Sequence, residues 1–300
     1  MEANFSPKQV AEALRVSESS IKRWCDRGAI CTTKTHGGHR RITLGGLMEF
    51  LEASNRVISL PSVLGIGESS AADKTADTQE SDLAEMGRQF DEALVRGDER
   101  ESRKIFLECY SKFRSLALVS DELIAPSFVR IGERWHASSI EVFQERRACE
   151  ICVRLIHEFR RLMTEPGSTA LTAIGCTTSG DHYSLPGQLI EVVLREAGWR
   201  ATNMGVGIPL KSLAAAITAE RPQLVWLSVS FTPCTTTFVK EMDELWEAIP
   251  PETCFVVGGR ALKDDLRPRL RYTAHCDTMQ QLSKLARTLR SSGLRERSQP

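Results

Sequence analysis

Between Lys22 and Arg41 the chain carries Lys22, Arg23, Arg27, Lys34, Arg40 and Arg41 against Asp26 alone. Cations gathered at that density neutralise phosphates, and an arginine can also read a guanine edge through paired N–H donors. The whole chain is neutral, with 39 basic and 39 acidic residues, so the excess is a matter of placement. Two other groupings invite a chemical reading. Cys149-Glu150-Ile151-Cys152 has thiol-pair spacing, yet it sits inside a helical pattern with no second pair at zinc distance, so helix packing is its expected role. Asp181-His182 lacks an accompanying nucleophile, and no serine–histidine–acid, phosphate-loop or metal-cluster pattern is present, so an enzyme is not expected.

The basic residues need elements to aim them. Pro7 to Leu14 places Val10, Ala13 and Leu14 on one helical face, and Glu18 to Arg27 does the same with Ile21, Trp24 and Cys25. Ser6 before Pro7 and Ser17 before Glu18 are suitable N-caps, and Gly28 stands where a left-handed C-cap is wanted. Arg15-Val16-Ser17 is then a tight turn between two helices, and Ser19, Ser20, Lys22 and Arg23 are left facing outward on the second one. Cys31 to Ile42 reads as two β-prone arms around a Gly-Gly turn, a hairpin wing.

This stretch, Ser6-x3-Val10-Ala11-x2-Leu14-x-Val16-Ser17-x2-Ser20-Ile21-x-Arg23-Trp24 followed by Gly37-Gly38-His39-Arg40-Arg41, resembles the winged helix-turn-helix of the MerR superfamily, in particular its short excisionase-like members. The resemblance implies a second helix in the major groove of double-stranded DNA, reading through Ser19, Ser20, Lys22 and Arg23. It also implies a wing on the backbone or minor groove through His39, Arg40 and Arg41, with Lys34 in the same basic surface. His36 fits a wing tip better than a metal site, having no cysteine or carboxylate cluster at ligand spacing.

The 300 residues suffice for two or three domains, and 41% hydrophobic content is ordinary for a soluble globular protein. With no apolar run of membrane-spanning length and no signal-peptide pattern, a cytoplasmic protein is expected, without a membrane partner. Nine scattered cysteines suit buried thiols in a reducing compartment. The expected organisation is a DNA-binding head over 1–53, a flexible linker over 54–81, a helical bundle over 82–166, an α/β domain over 167–292 and a tail over 293–300. Apolar residues at helical spacing with breaks at Gly97-Asp98, near Ser120-Asp121 and around His136 to Ser139 give the bundle about four helices. Strands at 169–176, 200–204, 224–230 and 254–257 then alternate with helices at 189–197, 210–220, 235–248, 260–267 and 279–290. That alternation predicts a doubly wound parallel sheet of flavodoxin-like type, with ligand loops at the carboxyl ends of the strands. The fold class is thus multidomain α and α/β.

Head, bundle and α/β domain in this order resemble the light-responsive, cobalamin-dependent repressors. In that family the first βα loop carries D/E-x-H-x-x-G, with the histidine coordinating cobalt and the acidic residue orienting it. If Gly187 is the motif glycine, Ser184 takes the histidine position and His182 the acidic one. A serine hydroxyl is a poor ligand for cobalt; a shifted alignment makes His182 the alternative candidate ligand. The family's W-x9-E-H, which covers the upper face of the cofactor, becomes Trp135, nine residues, then Glu145-Arg146. Ser228 matches the serine of the S-x-L loop that packs the nucleotide tail, with Ser230 in place of the leucine, and Gly258-Gly259 matches the G-G turn. The resemblance therefore implies a cobalamin scaffold whose central ligand is replaced. Cobalamin could bind with water below the cobalt or with its own base attached, another ligand could take the pocket, or the body could signal by oligomerisation alone.

The reading that follows is a sequence-specific transcriptional regulator, a homo-oligomer, whose C-terminal module senses a ligand or controls assembly. Alternatives are a fully cobalamin-dependent repressor and an adaptor that binds another protein through the bundle. A corrinoid carrier subunit would require a cobalt-ligating histidine and no DNA-binding head, and the sequence meets neither condition.

Overall fold

A computed structural model describes residues 4–34, 38–54, 76–263 and 265–296. The wing residues His36 and Gly37, the linker over 55–75 and residues 297–300 lie outside the described residues. The chain forms two compact units, Met1–Thr164 and Glu165–Pro300.

In the first unit, β1 (Asn4–Phe5) leads into α1 (Pro7–Ala13) and α2 (Glu18–Asp26). Ser6 and Gln9 close a capping box, and Ser17 Oγ accepts from the Ser20 amide at 3.2 Å, so both expected caps are formed. Between the helices Arg15 takes the left-handed conformation (φ 50), and Gly28 does the same beyond α2 (φ 72). The wing pairs β2 (Thr32–Lys34) with β3 (Arg40–Thr43) in antiparallel register, Lys34 opposite Arg40. β1 adds a third strand on the other side of β3, which the sequence pattern did not suggest because two residues carry no periodicity. α3 (Leu44–Ser54) closes the head, with Phe50 against Trp24 at 4.9 Å between ring centroids.

The bundle follows as α4 (Ala76–Arg96), α5 (Glu99–Phe113), a helical run over 116–136 and α8 (Val142–Leu162). α4 starts at Ala76, inside the stretch expected to be linker. The break expected near Ser120-Asp121 does not exist. α6 (Leu116–Val119) passes through one π-turn, Ser120–Ile124, into α7 (Ala125–His136). Pro126 lacks an N–H, and the Ala125 amide reaches back five residues to the Ser120 carbonyl, so the run stays helical around the proline. The real break is at Arg114, left-handed at φ 54, before Ser115 caps the next helix. Phe90, Ile105, Phe106, Tyr110, Ile131, Ile151, Leu155 and Phe159 fill the core. Cys152 is buried and Cys149 half-buried on α8, as packing requires.

The second unit is a parallel sheet in the order β5-β4-β6-β7-β8. Its strands are β4 (Thr172–Thr177), β5 (Arg200–Asn203), β6 (Leu224–Ser228), β7 (Cys254–Gly258) and β8 (Ala274–His275). The order reverses after the first strand, as the doubly wound reading expects. Ile174, Cys176, Val225, Leu227, Phe255 and Val257 face α10 (Leu210–Glu220) and α11 (Thr235–Glu247). Alternate residues face α9 (Ser184–Glu196) and α12 (Met279–Glu296), which pack together. No helix forms among the described residues of 260–267. Leu262, Leu266 and Leu270 are buried at helical spacing, but the described residues of the segment make turns and a single 3-10 turn, Arg267–Arg269, with Pro268 in it. β8 was likewise not foreseen. α9 begins five residues earlier than the apolar pattern suggests, because Pro186 in its first turn needs no N–H.

Phe159 is 1% exposed and meets Phe106 and Tyr110 edge-on at 5.8 and 4.4 Å. Phe159→Ala should lower stability by about 3–5 kcal/mol, measured by urea unfolding of the full chain.

Candidate functional site

On α2 Ile21 is fully buried and Trp24 half-buried, while Ser19, Lys22 and Arg23 are exposed, so one helix face is free for a partner. Ser20 is half-buried, its hydroxyl 2.9 Å from that of Ser17, which gives it a share in the cap. Lys22 pairs with Glu18 at 2.9 Å across solvent, a contact of small net value that a phosphate can replace. His39 is exposed beside β3. Arg40 differs from its expected role as a free wing cation. Its guanidinium pairs with Asp26 and donates to the Lys22 carbonyl at 3.4 Å, tying the wing to α2. Arg41 is half-buried and donates to the Arg40 carbonyl at 3.5 Å. The structure thus brings Ser19, Lys22, Arg23, Arg40 and Arg41 into one module and gives Arg40 a clamping task that sequence spacing does not reveal.

On the bundle, Trp135 is 44% exposed at the end of α7, and Val142 and Phe143 are 49% and 61% exposed at the start of α8. Glu145 is half-buried, receives the Arg146 guanidinium at 3.4 Å and accepts from Cys149 Sγ at 3.8 Å. Burial, and then the Glu145 charge, push the Cys149 thiol up to about 12. Among the described residues no group of three or more histidines, cysteines or carboxylates could hold a metal ion.

At the carboxyl edge of the sheet the organising group is Asp181, fully buried. One carboxylate oxygen accepts from the Tyr183 amide at 3.1 Å, the other from the Ser230 and Phe231 amides at 2.5 and 3.2 Å. The loop after β4 is thereby bonded to the loop after β6. Thr177 Oγ1 donates to the Asp181 carbonyl at 2.7 Å and accepts from the Gly207 amide at 3.0 Å, adding the loop after β5. Arg260 joins the loop after β7 by donating to the Ser230 carbonyl at 3.3 Å and lying 4.5 Å from the Tyr183 ring centroid. Asp181 drew notice in the sequence only as the neighbour of His182, since nothing local says which amides it will meet.

The residues matched to a corrinoid site can be tested against this geometry. Ser184 is the first residue of α9, and a hydroxyl there gives cobalt no strong ligand. His182 is exposed, its imidazole over the loop after β5, 3.9 Å from where a Gly207 side chain would begin. Gly187 lets α9 pack on Asn203, whose amide would lie 3.0 Å from a β-carbon. Ser228 is 2% exposed. Gly258 makes room for the Cys276 carbonyl, 2.6 Å from a would-be β-carbon, and Gly259, at φ +114, for the Val229 backbone at 2.4 Å. Both glycines are therefore required by the protein's own chain, which is the ordinary strand-end turn. At the matched position Ser184 offers no imidazole to a histidine-ligated corrinoid.

Residues 5–55 match the family described as "Helix-turn-helix domain", and residues 87–157 match the family described as "B12 binding domain". The chain carries a helix-turn-helix domain and a B12-binding-type domain. The second match lies within the bundle and ends before the α/β unit begins. Two repressors of Myxococcus xanthus are similar in sequence to this helix-turn-helix protein. "HTH-type transcriptional repressor CarH" is 28% identical over 148 residues, 48% of this chain and 47% of that protein. "HTH-type transcriptional repressor CarA" is 23% identical over 263 residues, 87% and 88% of the two chains. The chain thus spans about half the length of the first relative and most of the second. Among solved structures, the Methanosarcina barkeri monomethylamine corrinoid protein superposes with a TM-score of 0.58 at 15% identity, covering 69% of this chain and 99% of its own. That likeness is one of fold. No helix among the described residues is long and apolar enough to cross a membrane.

Asp181→Ala would leave three amides without their acceptor. It should cost about 2–3 kcal/mol in urea unfolding and shift the Ser230 and Phe231 amide resonances. Thiol chemistry gives a second check. Thr237 bonds hold the exposed Cys234 thiol below its ordinary value, whereas burial pushes Cys109 and Cys176 up to about 12. A lowered value means more thiolate near neutrality. Iodoacetamide at pH 8 should label Cys234 well ahead of Cys109, Cys149 and Cys176, and equal labelling of Cys176 would indicate an open sheet.

Proposed function

We propose that the chain is a sequence-specific, DNA-binding transcriptional regulator, with its B12-binding-type module and α/β unit controlling assembly rather than catalysing a reaction. The observation that carries this reading is the head itself. A capped recognition helix presents Ser19, Lys22 and Arg23 on its open face, beside a basic wing clamped to it by Arg40 and Asp26. The likeness to two repressors supports the same direction. A head of this size makes few base contacts, so useful affinity calls for two heads on one site and hence a homo-oligomer on double-stranded DNA in the cytoplasm. The sequence match to a B12 binding domain, together with the exposed Trp135, favours a second reading in which cobalamin governs the same repressor.

The test starts from duplexes selected by the full chain from a random pool. Arg23→Ala should weaken the selected duplex more than a scrambled one, flattening sequence preference. Arg41→Ala should weaken both alike and reduce the slope of log affinity against log salt by about one. Unchanged gel-shift affinity for both variants at moderate salt would overturn the placement of the DNA face.

A further inference from the structure

Trp226 is 1% exposed at the centre of the sheet, on the α9/α12 face, two residues before Ser228 and therefore on the same side of β6. Its register partner on β4 is Gly175, and a β-carbon on Gly175 would lie 2.2 and 2.4 Å from atoms of the indole. The ring is thus pressed against bare backbone, and no side chain larger than hydrogen is compatible with it across the strand pair. The buried indole Nε1–H has no hydrogen-bond partner. A buried donor left unmatched is costly, so the ring is held there for its volume rather than its polarity. Beyond the carboxyl end of β6 the loops are bonded to one another, by Asp181 on the Ser230 and Phe231 amides and by Arg260 over Tyr183, and the Cys276 and Val229 backbone packs on Gly258 and Gly259.

We infer that Trp226 is a built-in plug. Its indole fills the planar slot beside Ser228 that the corrinoid resemblance assigns to a nucleotide base, so the α/β unit is completed by its own side chain and takes no inserted cofactor tail. This deepens the regulator reading and rests on it. Control of the head then comes from surfaces of the folded protein, not from a cobalt-bound ligand held through this unit. Gly175 and Trp226 act as one device, since a flat aromatic group of similar size could replace the ring only if the ring were removed.

The experiment uses the full chain in the dark with hydroxocobalamin and adenosylcobalamin, followed by gel filtration and visible spectra. The wild type should elute free of corrinoid, with no spectral change. Stoichiometric co-elution with a spectrum in which the corrinoid's own base has left the cobalt would overturn the plug, whereas co-elution with that base still attached leaves the tail outside the unit, as the plug requires. In parallel, Trp226→Gly and Trp226→Ala are titrated with 5,6-dimethylbenzimidazole, with thermal midpoint and direct calorimetry as readouts. A variant that folds, judged by circular dichroism, should bind the base at least about tenfold more tightly than the wild type. A folded variant with no gain would also overturn the proposal. Trp226→Leu, which keeps most of the apolar volume while removing the flat ring, is titrated alongside them and read by the same criterion. Affinity for the selected duplex is measured on the same wild-type sample. Loss of DNA binding without corrinoid binding sinks the regulator reading and leaves the plug standing, while binding of a corrinoid whose base has left the cobalt, with intact DNA binding, does the reverse.

Discussion

A parallel sheet delivers the ends of its strands, and the loops that follow them, to a single edge, and here that edge is held together by one buried carboxylate. Asp181 accepts from amides on its own loop and on the loop after β6, which lie far apart in sequence. The carboxylate is fully buried, so without these bonds it would stand desolvated and unmatched. Thr177 extends the tie to the loop after β5 and Arg260 to the loop after β7. The position of Tyr183, the entry of α9 and the turn at Gly259 all follow from this arrangement. Both oxygens of this carboxylate are taken up by backbone amides.

The two units work through different physics. The head depends on charge placed on a small scaffold, where Arg40 fixes the wing to α2 and leaves neighbouring cations available. The α/β unit depends on volume, with Trp226 laid on Gly175 and glycines at 258 and 259 filled against by the chain's own carbonyls. The βα alternation and the apolar faces specify the fold without specifying the space beside Ser228.

Much of the head was legible in the sequence because its signals are local. Ser6, Ser17 and Gly28 act within four residues of themselves, and Ile21 and Trp24 lie on a single helical period. The bundle was legible in helix number but not in its joints. Ser120-Asp121 looked like a break since polar residues interrupt the apolar period, yet the π-turn around Pro126 carries the helix through, while the true break at Arg114 depends on a left-handed conformation that arginine does not advertise. At 260–267 a helix was expected, and the described residues form turns instead.

The sequence by itself determined the order of domains, the basic head, the parallel α/β alternation and the absence of a histidine at position 184, since each is written in residue identity or in a short period along the chain. Only the tertiary structure decided that Asp181 serves backbone amides, that Arg40 clamps the wing to Asp26 and that Trp226 occupies the face of Gly175. Those contacts join residues 14 to 51 positions apart, and which partners meet is set by strand order and helix packing, which bring distant backbone together after the local elements have formed.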